Sequence, residues 1–83
     1  MIFTVVWLPA ALGKLAGFWV NGPDRQAVAD ASNEIGRLLR IDAQARGLPF
    51  FERRMLAVAP LAVTFDVSLD DRLVTVADVK RVS

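Results

Sequence analysis

The stretch that decides the fold is RRMLAVAPLAVTFDVSLDDRLVTVADV, which runs from residue 53 to residue 79. Apolar residues recur there at every second position, most clearly in LAVTFDV, and this is the period of a half-buried strand. Turn residues at Ala59-Pro60 and at 68–72 divide the stretch into strands at 53–58, 61–67 and 73–79. Because both connections are short, the sequence predicts that these consecutive strands pair antiparallel.

Upstream of this block the period changes to that of helices. Residues 9–20 and 23–40 are predicted helices, separated by Asn21-Gly22-Pro23, which stops helical hydrogen bonding. Residues 2–7 are predicted to form a first strand, and residues 41–49 a loop. The predicted buried faces are Leu12, Leu15, Ala16 and Trp19 on the first helix and Val28, Ala31, Ile35, Leu38 and Leu39 on the second. Both tryptophans, Trp7 and Trp19, are interpreted as core aromatics.

The resulting order is β-α-α-β-β-β, an α+β class with a helical hairpin packed on one face of a small, mainly antiparallel sheet. With 83 residues, the chain is expected to form a single domain, residues 1–83. Alternation directs one set of side chains toward the helices: Leu56, Val58, Leu61, Val63, Phe65, Val67, Val74 and Val76. The opposite set is small and weakly polar, and comprises Ala57, Ala62, Thr64, Asp66, Thr75 and Ala77.

Composition excludes several kinds of chemistry. The chain has no Cys, His or Tyr, so thiolate and imidazole metal sites and a Ser-His-Asp triad are excluded, and neither a metal nor a cofactor is expected. Ten basic and nine acidic residues give a net charge of +1, which does not suggest a general nucleic-acid binder. Residues 37–54 carry five arginines against Asp42 and Glu52, which fits either a solvated helix end or a phosphate-facing patch.

The first twenty residues need a membrane check, because Lys14 is their one charge. Pro9, the central Lys14 and the missing basic segment in front of the apolar run all argue against a membrane span or a signal peptide. The sequence therefore predicts no membrane insertion.

Several short motifs, in order along the chain, resemble the RelE/ParE superfamily of toxins from type II toxin-antitoxin modules, the plasmid stabilisation type. They are Val6-Trp7-Leu8-Pro9-Ala10-Ala11 with Leu15-Ala16 and Trp19, Ile35 with Leu38-Leu39, Ala45-Arg46-Gly47, Arg54-Met55-Leu56, Pro60-Leu61-Ala62-Val63, Phe65-Asp66-Val67 and Asp71-Arg72-Leu73-Val74-Thr75-Val76. The resemblance implies a bacterial cytoplasmic protein that inhibits growth and is held inactive by a cognate antitoxin. Members either poison DNA gyrase or cut messenger RNA on the ribosome.

The resemblance also suggests which residues act. In its nuclease members, cationic and acid-base groups converge on one phosphate, and here Arg54 and Arg81 would be the catalytic candidates. Target or nucleic-acid binding would use Arg46, Arg53, Arg54, Lys80 and Arg81. The third-strand arginine of those members is replaced by Leu61 or Ala62, and no Tyr or His is available for proton transfer. Strand-flanking charges and a solvated tail are the alternative explanations for these basic residues.

These departures rank the functional hypotheses. The first is a toxin that binds a target such as DNA gyrase or the ribosome; the second is a ribosome-dependent mRNA endonuclease; the third is a degenerate, non-toxic member that only binds protein. The antitoxin is predicted to cover the small side chains Ala57, Ala62, Thr64 and Thr75, since short residues allow a partner backbone to approach closely. The Ala-rich composition of the whole chain is the alternative reason for that face. The oligomeric state stays open between a homo-oligomer and a toxin-antitoxin hetero-oligomer.

Overall fold

The computed structural model describes residues 2–22, 24–50 and 52–82, and these form two helices packed on one five-stranded sheet. The elements, in chain order, are β1 (Thr4–Trp7), α1 (Pro9–Asn21), α2 (Arg25–Arg40), a one-turn 3-10 helix (Ala43–Ala45), β2 (Leu48–Phe50), β3 (Arg53–Val58), β4 (Leu61–Ser68) and β5 (Leu73–Arg81). The strand order is β1-β5-β4-β3-β2, antiparallel throughout except that β1 runs parallel to β5. The predicted α+β class and the helical hairpin on a mainly antiparallel sheet are confirmed.

The prediction of a loop at residues 41–49 was wrong in part, because this segment contains the 3-10 turn and the beginning of the short strand β2. Asp42 and Gly47 take positive φ angles of 53° and 71°, which reverse the chain on either side of the 3-10 turn. A Cβ on Gly47 would lie 2.4 Å from the carbonyl oxygen of Met55, so a glycine is required there. Pro49 hides the strand from sequence analysis, although proline is compatible with an edge strand such as β2.

The buried face of α1 differs from the predicted one. Ala11 is fully buried and Leu15 and Phe18 pack against the core, whereas Leu12 and Trp19 are 50% and 45% exposed. Periodicity could not choose between the two faces, because apolar residues surround most of this helix and both sets recur at three and four. Trp19 is therefore not a core aromatic, while Trp7 is half-buried against the core.

The second helix follows its predicted stripe closely. Val28, Ala31, Ile35 and Leu39 are buried, and Leu38, predicted to be buried, is half-buried at the margin of the stripe. The helices cover the predicted sheet face, with Leu61, Val63, Phe65, Val74 and Val76 buried and Leu56, Val58 and Val67 partly buried beside them. Neither helix in the described ranges has the length and apolar character needed to cross a membrane.

A β-bulge in β5 changes the alternation that the sequence predicts. Phe65 pairs with Val76, but the preceding residue, Thr64, pairs with Asp78, so Ala77 is left as the extra residue. Beyond the bulge the phase of β5 is reversed, which buries Val79 among the core residues. Ala77 was predicted to extend the outer face, and Asp78 and Lys80 occupy that side instead.

Candidate functional site on the outer sheet face

The sheet face turned away from the helices, called here the outer face, is built from three adjacent strands. Register places Met55, Thr64 and Asp78 in one row and Ala57, Ala62 and Lys80 in the next. A groove of about 670 Å³ lies over these rows and is lined by Glu52, Arg53, Met55, Ala62, Val63, Thr64, Asp78, Val79 and Lys80. Short side chains form its centre and charged ones its margin, an arrangement that suits contact with another polypeptide.

The charged groups around the outer face are mostly engaged with one another. Arg53 forms a salt bridge of 3.3 Å with Asp66 across β3 and β4. Lys14 of α1 donates a hydrogen bond of 2.7 Å to Asp78, and this contact is the main cause that lowers the pKa of the Asp78 carboxyl. Lys80 lies close enough to Asp78 to lower that pKa further, yet it makes neither a hydrogen bond nor a salt bridge with any described residue. Lys80 is thus the cation at the groove that is best placed to meet a ligand.

The two adjacent arginines of β3 point to opposite sides of the sheet. Arg53 is on the outer face, whereas Arg54 pairs in register with the buried Phe65 and is on the helix side. The Arg54 guanidinium donates hydrogen bonds to the carbonyl oxygens of Arg46 and Gly47 at 2.7 and 3.0 Å. Arg46 in turn donates to the carbonyl oxygen of Ile41 at 3.3 Å. These contacts make Arg54 a clamp on the chain that follows α2.

Arg81 is also on the helix side, at the far end of the sheet. It pairs in register with Leu61 and donates a hydrogen bond to Asp24, at the start of α2, which lowers the pKa of that carboxyl. Arg54 on β3 lies beside Phe65 of β4, and Arg81 on β5 lies beside Leu61 of β4. The α-carbons of Arg54 and Arg81 are therefore roughly 16 Å apart by strand geometry. The structure therefore does not bring the two predicted catalytic residues together.

The four residues predicted to meet an antitoxin are all on the outer face, with unequal exposure. Ala57 is exposed, Thr64 and Thr75 are half-buried, and Ala62 is only 3% exposed between its ladder neighbours on β3 and β5. Met55 and Asp78 also line the groove and were missed. Met55 could have been placed on this face from the sequence, because in an alternating strand it shares the face of Arg53 and Ala57. Asp78 could not, because its face depends on the bulge in β5.

Comparison with known proteins supports the fold. No protein-family model and no curated protein matches the chain. Among solved structures, a chain of the chromosomal ParDE toxin-antitoxin system from P. aeruginosa is similar over 99% of this chain and 98% of its own length, with a TM-score of 0.76 and 19% identity. A chain of the toxin-antitoxin complex RelBE2 from Mycobacterium tuberculosis matches 98% of this chain and 92% of its own length, with a TM-score of 0.75 and 13% identity. The fold expected from the RelE/ParE resemblance is confirmed.

Proposed function

We propose that this chain is the toxin component of a type II toxin-antitoxin module. It inhibits growth by binding a target such as DNA gyrase or the ribosome, and a cognate antitoxin neutralises it. The observation that carries the proposal is the similarity, over nearly the whole length of both chains, to chains from the ParDE and RelBE2 toxin-antitoxin assemblies.

Binding, rather than RNA cleavage, is the mode of action that the arginine geometry favours. Cleavage through the ribose hydroxyl requires a base, an acid and cations that converge on one phosphate. Arg54 is committed to backbone carbonyls and Arg81 to Asp24, at opposite ends of the sheet. The chain also has no His or Tyr to transfer a proton. We therefore rank the mRNA endonuclease below a binding toxin.

The proposed antitoxin surface is the outer face around Ala57 and Thr64. Short side chains there allow a partner segment to approach the sheet, and Lys80 offers a cation to an acidic group. Ala57 is a better test position than Ala62, because Ala57 is exposed and an arginine at the buried Ala62 would disturb the fold itself. We expect Ala57→Arg to weaken antitoxin binding at least about tenfold, as expected for a bulky charge at an interface centre.

The matched control for this variant is Ala27→Arg, which adds the same side chain at an exposed position of α2. Both variants should keep the parent's circular dichroism melting curve. Calorimetric titration with the product of the adjacent reading frame then reports the binding. Equal affinity of the Ala57→Arg variant and the parent would remove the outer face from the proposed interface.

The function itself is tested by controlled expression in a bacterial host, with and without the adjacent reading frame. Growth arrest that the adjacent frame relieves is the expected result. An accompanying DNA-damage response would identify gyrase as the target, and loss of translation would identify the ribosome. Codon-positioned transcript cuts would support the endonuclease instead. Normal growth at full expression would contradict the toxin proposal and leave the degenerate, protein-binding member as the explanation.

A further inference from the structure

The edge of the sheet at β1 carries backbone groups that have no partner strand. The N–H groups of Thr4 and Leu8 donate to carbonyl oxygens of β5, each at 2.9 Å. Because successive residues turn their backbone groups to opposite sides of a strand, the N–H and C=O groups of Val5 and Trp7 point away from β5. No described residue bonds to them. This part of β1 is therefore open to an added strand.

The open edge is closed at its beginning by the end of α2. The N–H of Phe3 donates to the carbonyl oxygen of Arg40 at 2.7 Å, and Ile2 forms an antiparallel bridge with Ile41. A strand that ran antiparallel to β1 from Trp7 would meet this segment after about four residues. It would have to end or turn away beside Phe3. A chain terminus fits this closed end best, because it requires no turn.

A depression of about 440 Å³ adjoins the helix side of this edge. Val5 and Trp7 contribute to its apolar wall, and Gly36 of α2 leaves it open, because a Cβ built on Gly36 would meet no atom within 4 Å. Side chains alternate along a strand, so every second residue of an added strand would project into the depression. On the other side of β1, Val6 and Leu8 are 43% and 39% exposed. Both faces of an added strand would thus find apolar contacts.

The charge beside the closed end is positive. Arg37 and Arg40 line the depression, and no carboxylate is among the described residues that do so. Glu34 engages Arg37, whereas the side chain of Arg40 forms no salt bridge with any described residue. A strand that ended beside Phe3 would place its last residue next to Arg40. A guanidinium without a partner at this place favours a carboxylate and disfavours an ammonium.

We propose that the open edge of β1 binds the carboxyl-terminal residues of a partner protein, extended and antiparallel to β1, with their terminal carboxylate at Arg40. Backbone bonds to Val5 and Trp7 hold the added strand, and an apolar side chain near its end enters the depression. A second copy of this chain fits poorly, because its own β1 continues into α1 at Pro9 and cannot end beside Phe3. The proposal does not rest on the toxin assignment.

The probe for the test is an acetylated peptide of about six residues that alternates threonine with valine and ends in a valine with a free carboxylate. One control peptide ends in an amide instead, and another carries methyl groups on the backbone nitrogens that would face β1. Titration calorimetry with the full chain, and the emission of Trp7 in a Trp19→Phe variant, report binding. We expect the amide to bind at least about fivefold more weakly, because it lacks the charge that Arg40 meets, and the methylated peptide not to bind.

Matched variants locate the binding, with circular dichroism melting as the check that each is folded. Gly36→Leu fills the depression and should abolish binding, whereas Ala27→Leu, at an exposed position of α2 outside the lining, should leave it unchanged. Arg40→Gln should remove the preference for the free carboxylate, and Arg25→Gln, at the other end of α2, should keep it. The Ala57→Arg variant of the outer face should bind the peptide like the parent, so that failure here is distinguishable from failure of the toxin proposal.

Several outcomes would overturn the proposal. Equal affinities for the acid and the amide, or an unchanged preference in Arg40→Gln, would refute capture of a chain terminus. Undiminished binding of the methylated peptide would refute strand pairing, and absence of binding to any peptide would remove β1 as a docking edge. A peptide that continues beyond the valine and still binds like the free acid would make an internal strand the occupant. Sedimentation that shows a concentration-dependent dimer, lost in the Gly36→Leu variant, would assign the edge to a second copy of the chain.

Discussion

Replacing Arg54 by alanine should destabilise the fold, although a nuclease interpretation would make this residue catalytic. Its guanidinium donates to the carbonyl oxygens of Arg46 and Gly47 at 2.7 and 3.0 Å. These two carbonyls belong to the turn that carries the chain from the 3-10 helix into β2. The variant leaves both acceptors without their donor in a part-buried position, and only the backbone pairing of β2 with β3 then attaches the turn to β3.

The size of the effect follows from these two bonds. A hydrogen bond from a charged donor contributes about 1.5 to 3 kcal/mol when it is well shielded, and less where water replaces the donor. Because Arg54 is half-buried, we expect the pair together to contribute about 2 kcal/mol to the free energy of unfolding. For a domain of this length, that corresponds to a fall in Tm of about 8 to 16 °C.

The neighbouring arginine provides the matched control. Arg53 makes one salt bridge to Asp66 at 3.3 Å, with both side chains about half exposed, at 50% and 48%. Such a pair contributes little, so Arg53→Ala should change the free energy of unfolding by less than about 0.5 kcal/mol. Urea and thermal unfolding followed by circular dichroism measure both variants. If Arg54→Ala unfolds at the same urea concentration as Arg53→Ala, Arg54 is not a structural clamp.

Three further predictions concern the core, the turn and the C-terminal strand. Ile35→Ala should lower the free energy of unfolding by about 2 to 5 kcal/mol, because Ile35 is fully buried, and an equal cost for the half-buried Leu38→Ala would contradict the assigned packing face. Gly47→Ala should cost more than about 2 kcal/mol in urea unfolding, because φ is 71° and the new Cβ would approach a backbone oxygen to 2.4 Å; a neutral result would refute that turn geometry. The Arg81 hydrogen bond lowers the pKa of Asp24, so its contribution is present above the ordinary aspartate pKa of about 3.9 and is lost as the pH falls through the lower pKa of the folded state. The Tm of the Asp24→Asn variant should therefore fall less than that of the parent as the pH drops below about 4. An equal fall in the two proteins would contradict the pairing.

Much of the fold could be predicted from the order of the hydrophobic periods. Strands β3 and β4 alternate with a period of two and α2 carries one apolar stripe, in each case with no competing alternative, and the turns between the strands carry recognisable turn residues. The helix-facing side of the sheet was consequently assigned correctly. The small outer face could also be predicted, since alternation in β3 and β4 determines it as far as Thr64.

The candidate site was less predictable because it depends on contacts between distant parts of the chain. Arg53 and Arg54 are adjacent in sequence, but the pleat of β3 separates them onto opposite faces, and Arg54 finds its acceptors in the turn before β2. Arg81 resembles a solvated tail in the sequence and is instead paired with Asp24, 57 residues earlier. No local pattern contains these partners.

Local periodicity, then, determined which segments are helices and strands, because that choice depends on residues within one or two turns of each other. Tertiary packing decided which of two apolar faces of α1 enters the core, where β5 accommodates its bulge, and which arginines are engaged with backbone or carboxylate. Each of these depends on how well distant surfaces fit together. The physical reason is that a helix with apolar residues on most sides has several nearly equivalent orientations, and only contact with the sheet distinguishes between them.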